Sequence, residues 1–354
     1  MADETQGSEE FAGRVLQILN DGAVALMVSI GHKTGLFDTM AELPPSTSDE
    51  IAKAAGLQER YVREWLGAVA VGGIVEHDPE TLTFSLPPER AAWLTRAAGP
   101  ANLAASMQFI GIFAGAEEDV AERFRIGGGV PYSAYEKFHA VMAEDSALVH
   151  DATLIDGILP LVPGIVERLK AGIDVADIGC GSGHAINLMA EAFPASRFTG
   201  IDLSEEAITA ARKEAKARGL TNARFEARDA ATLDASQEFD FITTFDAVHD
   251  QARPDLALAA IAASLRPGGR YLCVDIKASS TVAGDMDLPL GPMLYATSVL
   301  HCMTVSLAEG GLGLGTMWGE KVARKMLADA GFASVELHEI PEDIANNYYL
   351  ATKG

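Results

Sequence analysis

The sequence predicts an α/β protein with a doubly wound, mainly parallel sheet that follows a smaller helical domain. Short apolar segments alternate with helical patterns after Gly172, whereas helical patterns dominate before it. The length of 354 residues suggests about two to three domains at the usual ~150 residues each. We therefore expect domains at residues 1–95, 96–170 and 171–354.

Composition and charge narrow the possible partners. Apolar residues make up 48% of the chain and charged residues 22%, within the range of globular proteins. Asp and Glu number 50 against 27 Lys and Arg, and the net charge of −23 repels phosphate backbones. We therefore expect no nucleic-acid partner.

The expected location is the cytoplasm. The start MADETQGSEE is acidic where a secretory signal would be basic and then apolar, and three scattered cysteines suit a reducing compartment. The charge-free segments Ala97 to Ala116 and Leu288 to Ala308 contain too many polar residues, glycines and prolines for a lipid-spanning helix. We expect no membrane segment.

The first region reads as helices followed by a hairpin. A largely apolar helix is predicted over Gln17–Met40, then two helices between Ser46 and Gly73, then two short strands about Asp78-Pro79. This order resembles a winged helix, a fold that usually binds DNA. Between Ser46 and Arg90, however, eight acidic residues stand against four basic ones. We therefore predict a homodimerisation domain whose seam is the Gln17–Met40 helix.

The remaining chain is predicted to form a helical connector and the large sheet. Residues 96–170 are predicted to be a helical connector that covers the active site. The strands then follow in the order IDVADI, RFTGID, ARFEAR, FDFITTF and RYLCVDI, with a closing antiparallel hairpin of ASVELHEI and NNYYLAT. The ligand of such a sheet binds at the carboxyl ends of the strands.

The most informative motif is Asp177-Ile-Gly-Cys-Gly-Ser-Gly183, between the first predicted strand and helix of the sheet. Its glycines are spaced as GxGxG. A dinucleotide-binding loop would need a glycine where His184 stands, and the Gly-Lys-Ser/Thr of a phosphate-binding loop is missing. Closely spaced glycines still indicate unusual dihedral angles and a ligand that approaches the backbone.

Two aspartates follow the next two strands. Asp202 stands 19 residues after Gly183, where a carboxylate can accept from both ribose hydroxyls. Asp229 is placed to accept from the exocyclic amine of adenine, and Ala230 offers a backbone N–H beside it. Together with the glycine loop, these positions indicate an adenosine ligand.

This arrangement resembles the class I S-adenosylmethionine-dependent methyltransferases, which carry E/DxGxGxG, an acid ending the second strand and an Asp after the third. The string LRPGGRYLC matches the turn before the family's fifth strand, and the resemblance covers about residues 172–354. It implies a Rossmann-like methyltransferase sheet and S-adenosyl-L-methionine as cofactor. The implied cofactor-binding residues are Asp177, Gly179, Gly181, Gly183, Asp202, Leu203, Asp229, Ala230, Phe245, Tyr135 and Phe138.

Methyl transfer to a hydroxyl benefits from a general base, and His249, just beyond the fourth strand, is the candidate. It is similar in kind to the catalytic His-Asp of plant-type O-methyltransferases, and Asp250 or Asp246 could orient it. A purely structural His249 is the alternative. We expect no metal, because the spacing of Asp246, Asp250 and Asp275 does not by itself indicate a metal site.

The acceptor pocket is expected to be apolar. Methionine-rich and aromatic segments suit an adaptable pocket, and its candidate residues are Met107, His139, Met142, Met293, His301 and Trp318. The glycine-dense segment 310–319 could be the hinge of a lid, with Trp318 or His301 closing over the acceptor, or a flexible surface loop.

The whole chain thus resembles an O-methyltransferase acting on a hydrophobic or aromatic small molecule. Two alternatives remain within the same cofactor class: a DNA-binding regulator that senses S-adenosylmethionine, and an N- or C-methyltransferase acting on a small molecule. A nicotinamide-dependent oxidoreductase is disfavoured by His184 in the glycine loop.

Overall fold

A computed structural model describes residues 2–233, 237–341 and 343–354, with side chains from residue 7 onward. The chain divides into two compact units, Met1–Ala114 and Gly115–Gly354. The helical stretch 96–170, which the sequence analysis treats as one connector, is divided between the two units after residue 114.

The first unit is helical with a small hairpin. Its strands, β1 (Glu76–Asp78) and β2 (Thr83–Ser85), pair antiparallel as the sequence predicts. Its helices are α1 (Ala2–Thr34), α2 (Leu36–Glu42), α3 (Ser48–Ala55), α4 (Glu59–Val71), α5 (Pro88–Leu94), α6 (Leu103–Ser106) and α7 (Gln108–Gly115).

The predicted single helix over Gln17–Met40 is wrong in its bounds. Helix α1 begins far earlier, at Ala2, and ends at Thr34, because Gly35 adopts the left-handed conformation at φ 70° and starts α2. The C-terminal half of α1 packs closely on the rest of the unit: a Cβ on Gly31 would lie 2.5 Å from the ring of Phe37. The indole of Trp65 donates to the carbonyl of Met27 at 2.8 Å.

The second unit contains the large sheet. Its strands are β3 (Asp174–Ile178), β4 (Arg197–Asp202), β5 (Ala223–Ala227), β6 (Phe239–Phe245), β7 (Leu265–Ile276), β8 (Phe332–His338) and β9 (Asn346–Lys353). Its helices are α8 (Glu117–Ile126), α9 (Phe138–Thr153), α10 (Ile165–Ala171), α11 (His184–Ala192), α12 (Glu205–Ala217), α13 (Pro254–Ser264), α14 (Val282–Asp285), α15 (Gly291–Thr297), α16 (Met303–Ala308) and α17 (Gly319–Asp329).

The sheet has the strand order β5-β4-β3-β6-β7-β9-β8. The first five strands in this order are parallel, and β9 and β8 complete the sheet antiparallel. The predicted fold class is therefore confirmed. Between β6 and β7 the register shifts from Phe239 opposite Leu265 to Phe241 opposite Arg270, which accommodates the Pro-Gly-Gly turn that the sequence places before this strand.

Apolar side chains cover both faces of the sheet. On one face Ile186, Met189 and Ile208 from α11 and α12 pack against Phe198 and Phe241. On the other face the apolar sides of α13 and α17 pack against Ile242 and its neighbours on the strands. The parallel strands β3 to β7 all end at one edge, so the residues that follow them are gathered there.

By length and composition, one described helix could cross a membrane, the Gly7–Thr34 part of α1, and 22% of its apolar 18-residue stretch is buried within the protein. The helices Phe138–Leu161 and Ile165–Ala171, which meet at 105°, satisfy the criterion only if they are counted as one span. The core helix of a soluble protein and a signal sequence satisfy the same criterion. Of the two charge-free segments, the first contains the apolar helix Leu103–Gly115, and the second contains α15 and α16 joined by a π-helical turn at Ser298–Cys302.

Candidate active site

A glycine loop joins β3 to α11 at the carboxyl edge of the sheet. Gly179, Gly181 and Gly183 all have positive φ, at 75°, 51° and 73°. A Cβ on Gly179 would lie 2.4 Å from the Cβ of Ala247, and one on Gly183 would lie 2.5 Å from the ring of Phe225. A Cβ on Gly181 would meet no protein atom within 4 Å. The loop is therefore held tightly at both ends and open at its centre.

Asp202 binds the centre of this loop. Its Oδ2 accepts from the backbone N–H of Gly181 at 2.8 Å, and its Oδ1 accepts from Ser204 N–H at 2.9 Å. The N–H groups of Gly179 and Cys180 both donate to the carbonyl of Ile201, at 2.7 and 3.0 Å. The end of β4 thus shapes the loop, a role that the sequence analysis did not assign to Asp202.

Asp177 lies on β3, directly before the glycine loop. Its carboxylate is buried and accepts from Thr243 Oγ at 2.8 Å, which links β3 to β6. Burial raises the pKa of Asp177 to about 7; the Thr243 hydrogen bond opposes this shift and the charge of Asp202 adds to it. The described contacts of Asp177 therefore position the strand from which the glycine loop starts.

The remaining proposed adenosine contacts lie along the same edge. Asp202 is the register partner of Ala227 on β5, and Asp229 follows two residues later. Asp229 is exposed and caps a short 3₁₀ turn, accepting from Ala231 N–H at 2.9 Å, while Ala230 is buried. Leu203 is 71% exposed beside Asp202. The structure thus brings the two acids of neighbouring strands to one side of the glycine loop.

His249 forms a buried dyad at the same edge. It lies four residues beyond β6, and its Nδ1 is 2.8 Å from Oδ1 of Asp275, a fully buried residue and the next-to-last of β7. This corrects the sequence analysis, which offered Asp250 or Asp246 as the orienting acid. Asp250 follows His249 directly along the chain, but the side chain of His249 turns toward the neighbouring strand β7. There, Asp275 directly follows Val274, the last residue that pairs with β6.

The acids around His249 shift one another's protonation. Burial, and then the charge of Asp275, raise the pKa of Asp246 to about 8, and Asp246 also has a strained backbone with φ 50°. Burial raises the pKa of Asp250 to about 6, against the opposing effect of His249. Burial lowers the pKa of His249, but Asp275 and Cys302 raise it, and the net result lies well above the usual value.

Aromatic rings form a wall beside this dyad. His301 is buried and stacks on Phe138, with ring centres 3.8 Å apart and planes within 10°. Tyr132 meets His301 edge to face at 5.1 Å and stacks on His139 at 4.7 Å. Burial raises the pKa of Tyr132, and the charges of Asp250 and Asp202 raise it further, which places this ring near the acids of both the dyad and the glycine loop. The hydroxyl of Tyr135 donates to the carbonyl of Leu300.

The other predicted pocket residues are less closely connected. Met142 on α9 and Met293 on α15 are half-buried in the second unit. Met107 belongs to the first unit and packs against that unit's core, so its described contacts do not join it to the dyad. Phe245 ends β6, with its ring centre 4.7 Å from that of His150, whose pKa burial lowers to about 4.

The glycine-dense loop 310–319 is fastened rather than open. Gly315 N–H donates to the carbonyl of His249 at 3.0 Å, and Leu312 N–H donates to that of Ala252 at 3.0 Å. A Cβ on Gly311 would lie 2.5 Å from the backbone of Ala252, so close packing requires glycine there. Trp318 is buried with only 3% exposure. These contacts hold the loop against the segment that follows β6. The hinge and the flexible surface loop both stay predictions.

A metal site needs several His, Cys, Asp or Glu side chains close together. Within residues 2–233, 237–341 and 343–354, no group of three or more such side chains is arranged to hold a metal ion. Asp246, Asp250 and Asp275, which the sequence analysis considered as possible ligands, instead form the acidic surroundings of His249.

A glycine loop after the first strand, an acid ending the second and a turn with an Asp after the third define the site of a class I methyltransferase sheet. Comparison with known protein families supports the same assignment. Residues 169–338 match the model described as a methyltransferase domain, and residues 22–96 match the Rv2258c-like winged HTH domain. The chain is therefore a winged helix-turn-helix domain followed by a methyltransferase domain, which confirms both predicted resemblances.

Individual relatives are more distant. A fatty-acid O-methyltransferase of Mycolicibacterium smegmatis is 31% identical over 106 residues, which cover 30% of this chain and 38% of that protein. The chain spans less than two thirds of the length of the curated relatives that it matches. The mitomycin 7-O-methyltransferase MmcR has the same fold, with a TM-score of 0.71 and 18% identity over 98% of this chain and 99% of that one.

A second solved structure contains ligands. The O-methyltransferase NcsB1 of neocarzinostatin biosynthesis was crystallised with S-adenosyl-L-homocysteine and 1,4-dihydroxy-2-naphthoic acid. It matches with a TM-score of 0.63 and 18% identity, over 94% of this chain and 96% of that one. The similarity extends over both domains of this chain.

Proposed function

We propose that this protein is an S-adenosylmethionine-dependent methyltransferase that methylates a hydroxyl group of a hydrophobic or aromatic small molecule. The observation that carries the proposal is the His249–Asp275 dyad, which lies at the same sheet edge as the glycine loop and Asp202. One edge thus offers a cofactor cradle and a base, the two elements that methylation of a hydroxyl requires.

The residues of the cradle fit this cofactor. The open face at Gly181 leaves room for a ligand against the backbone, and the carboxylates of Asp202 and Asp229 can accept from ribose hydroxyls and an adenine amine. Leu203 offers apolar surface beside Asp202. Bound S-adenosylmethionine would supply a methyl group that is already activated on a sulfonium sulfur.

The protein's own task is then alignment, exclusion of water and removal of one proton. We infer that Nε2 of His249 takes the proton of the acceptor hydroxyl, while Asp275 holds Nδ1 and stabilises the imidazolium. The aromatic wall of Tyr132, Phe138 and His301 offers stacking surface to a planar acceptor.

The relatives support this class of acceptor. One is described as a fatty-acid O-methyltransferase, and the crystallised neighbour holds a dihydroxynaphthoic acid. Both descriptions name an apolar body that bears an oxygen nucleophile or a carboxylate. We propose the same general chemistry here, with the acceptor itself still to be found by screening.

The proposal is tested by incubating the protein with S-adenosylmethionine and a panel of phenols, naphthols, fatty acids, aromatic amines and activated carbon acids. Release of S-adenosylhomocysteine, dependent on a hydroxyl acceptor, is the expected result. Turnover with amines or carbon acids alone would replace the proposal by an N- or C-methyltransferase. Tight cofactor binding without any turnover would favour a sensing role.

The rate should depend on pH in a defined direction. The raised pKa of His249 keeps it protonated, and therefore inactive as a base, to higher pH than an ordinary histidine. We expect kcat to rise as the pH increases above neutrality, over a range in which Asp246 also loses its proton, near pH 8. The measurement is a pH profile of kcat at saturating cofactor and constant ionic strength. A profile that falls above pH 7 would show that the neutral imidazole is not required.

DNA binding is less well supported by the first unit. Helix α4 follows the turn in the position of a recognition helix, yet its two arginines are paired within the helix. Arg63 bonds Glu59 at 2.6 Å and Arg60 bonds Glu64 at 2.5 Å. Paired arginines on an acidic domain leave little charge for phosphate contacts. A gel-shift titration with random duplex DNA at low salt tests this point, and a shift would support the regulator alternative.

We propose that the protein is a homodimer joined through α1. Every side chain from Gly7 to Ala23 is exposed, and an isolated helix of this kind gains little stability without a packing partner. One stripe of α1 follows the a/d spacing of a coiled coil, with exposed apolar residues at Leu16, Leu19, Ala23, Leu26 and Ile30. A second copy of the helix offers a matching stripe.

Charges in this stripe should separate the subunits. The double substitution Leu19→Asp and Leu26→Asp buries two carboxylates if the dimer forms, so we expect a monomer by analytical ultracentrifugation. Asn20→Asp places a charge on α1 outside the stripe and should leave the dimer intact. A wild-type protein that sediments as a monomer would contradict the proposed homodimer.

We also propose a cytoplasmic location. Cys180, Cys273 and Cys302 are all free thiols in the structure, as suits a reducing compartment. Dimerisation explains the apolar stripe of α1 without a membrane. Fractionation of cells that express the tagged protein tests the proposed location. Recovery in the membrane fraction would indicate that Gly7–Thr34 contacts lipid instead.

A further inference from the structure

The dyad carboxylate has a second side-chain donor. Oδ1 of Asp275 accepts from Nδ1 of His249 at 2.8 Å and from Nε1 of Trp318 at 2.9 Å, and it also accepts from the N–H of Ile276 at 2.8 Å. Oδ2 of Asp275 is buried and has no hydrogen-bond partner among the residues that the structure describes. The orientation of this carboxylate therefore depends on donors that all converge on one oxygen.

The indole is held firmly in this position. The carbonyl of Trp318 accepts from Ser280 Oγ, and a Cβ on the following Gly319 would lie 2.3 Å from Ser280 N. Ala323 and Leu327 on α17 belong to the same buried apolar cluster as the indole ring. Trp318 is therefore anchored by the protein core and does not depend on a bound acceptor for its position.

The preceding loop fixes the other partner of the same carboxylate. Gly315 N–H donates to the carbonyl of His249. Ser306 Oγ accepts from Gly313 N–H at 3.1 Å and donates to the carbonyl of Gln251 at 2.9 Å, and so links the loop to the segment after His249. Loop 310–319 thus contacts the backbone of the base and, through Trp318, the carboxylate that orients it.

We propose that Trp318 is a positioning residue for His249, acting through Asp275, and that loop 310–319 is the rigid support of the proposed base. This inference rests on the proposed function for its catalytic meaning, but the coupling between the three side chains can be measured without turnover. It assigns Trp318 a role different from the acceptor contact that the sequence predicts.

Trp318 also influences the proton affinity of the dyad. Its N–H stabilises negative charge on Asp275, and this weakens the attraction between that carboxylate and a protonated His249. Removing the N–H should therefore make the imidazolium more stable and the base harder to deprotonate. Other titratable groups face the imidazole in both the wild-type and the variant protein, namely Asp246, Asp250, Cys302 and His301.

The test is the substitution Trp318→Phe, which keeps an aromatic ring and removes the donor. We expect kcat at pH 7 to fall about tenfold, the rising limb of the pH profile to move to higher pH, and the two profiles to converge at high pH. The KM for the cofactor should stay unchanged. A uniform fall in kcat across all pH values would instead show a merely structural role and overturn the proposal.

A second measurement keeps the test independent of activity. In protein labelled with ¹⁵N-histidine and bound to S-adenosylhomocysteine, the titration midpoint of His249 should be higher in Trp318→Phe than in wild type. An unchanged midpoint in the folded variant would overturn the coupling, even if the acceptor is never found. Trp93→Phe alters a half-exposed tryptophan of the first unit and serves as the control that should move neither profile nor midpoint.

Discussion

The substitution His249→Ala is expected to lower kcat about 100-fold or more, because it removes the group that takes the acceptor proton. Cofactor affinity should not change, because the described contacts of His249 involve Asp275, Cys302 and loop 310–319 and do not involve the glycine loop. The measurement is kcat and KM with the acceptor found by screening, together with calorimetric titration of S-adenosylhomocysteine.

Two comparisons make this result specific. His77→Ala removes an exposed histidine of the first unit and should leave turnover unchanged. The variant His249→Gln retains a polar side chain and should be nearly as slow as the alanine variant. Full activity in a correctly folded His249→Ala protein would reduce His249 to a structural residue, the alternative that the sequence analysis left open.

The substitution Asp202→Ala is expected to weaken cofactor binding by about 1.5–3 kcal/mol, or about 10- to 150-fold in Kd. The carboxylate serves the site twice, since it holds Gly181 N–H at 2.8 Å and offers its remaining lone pairs to a ribose. Calorimetric titration of S-adenosylhomocysteine measures the change.

The two roles of Asp202 can be separated. Asp202→Asn retains one carbonyl oxygen, which can accept from Gly181 N–H or from Ser204 N–H but not from both, and it loses the charge. We therefore expect an affinity between those of wild type and Asp202→Ala. Asp329→Ala removes an exposed carboxylate at the end of α17 and should leave the affinity unchanged. Unaltered Kd in a folded Asp202→Ala protein would show that the ligand does not contact this carboxylate.

The local features of the second unit could be predicted from sequence because they depend on short segments. The strand RFTGID ends at Asp202 as expected, and the register of β4 against β5 then brings Asp229 alongside it. The glycine loop could also be predicted from sequence, because its positive φ angles and its close contacts with Ala247 and Phe225 both require residues without a Cβ.

The pairing of His249 with Asp275 could not be predicted from sequence in the same way. Asp275 and His249 are 26 residues apart, and only the parallel pairing of β6 and β7 brings them together. Nothing in the sequence near His249 distinguishes Asp275 from the closer Asp250. One available signal was that Asp275 stands near the end of a strand, the position where acids of a parallel sheet approach the site.

Glycine-rich composition was also ambiguous in loop 310–319. Glycine is common both in mobile loops and where two backbones pack closely, and the sequence alone does not separate these causes. The contacts of Gly311 with Ala252 and of Gly315 with His249 show close packing. The hydrogen bond between Trp318 and Asp275 likewise has no sequence signal, because the two residues are 43 positions apart.

The central claim is that the glycine loop and Asp202 bind S-adenosylmethionine, and calorimetry tests it most directly. The purified protein would be titrated with S-adenosylmethionine, S-adenosylhomocysteine and, as control, NADH. Micromolar binding of the two sulfur ligands and none of NADH is the predicted result. Binding of NADH, or of none of the three, would contradict the proposed function and leave only the fold established.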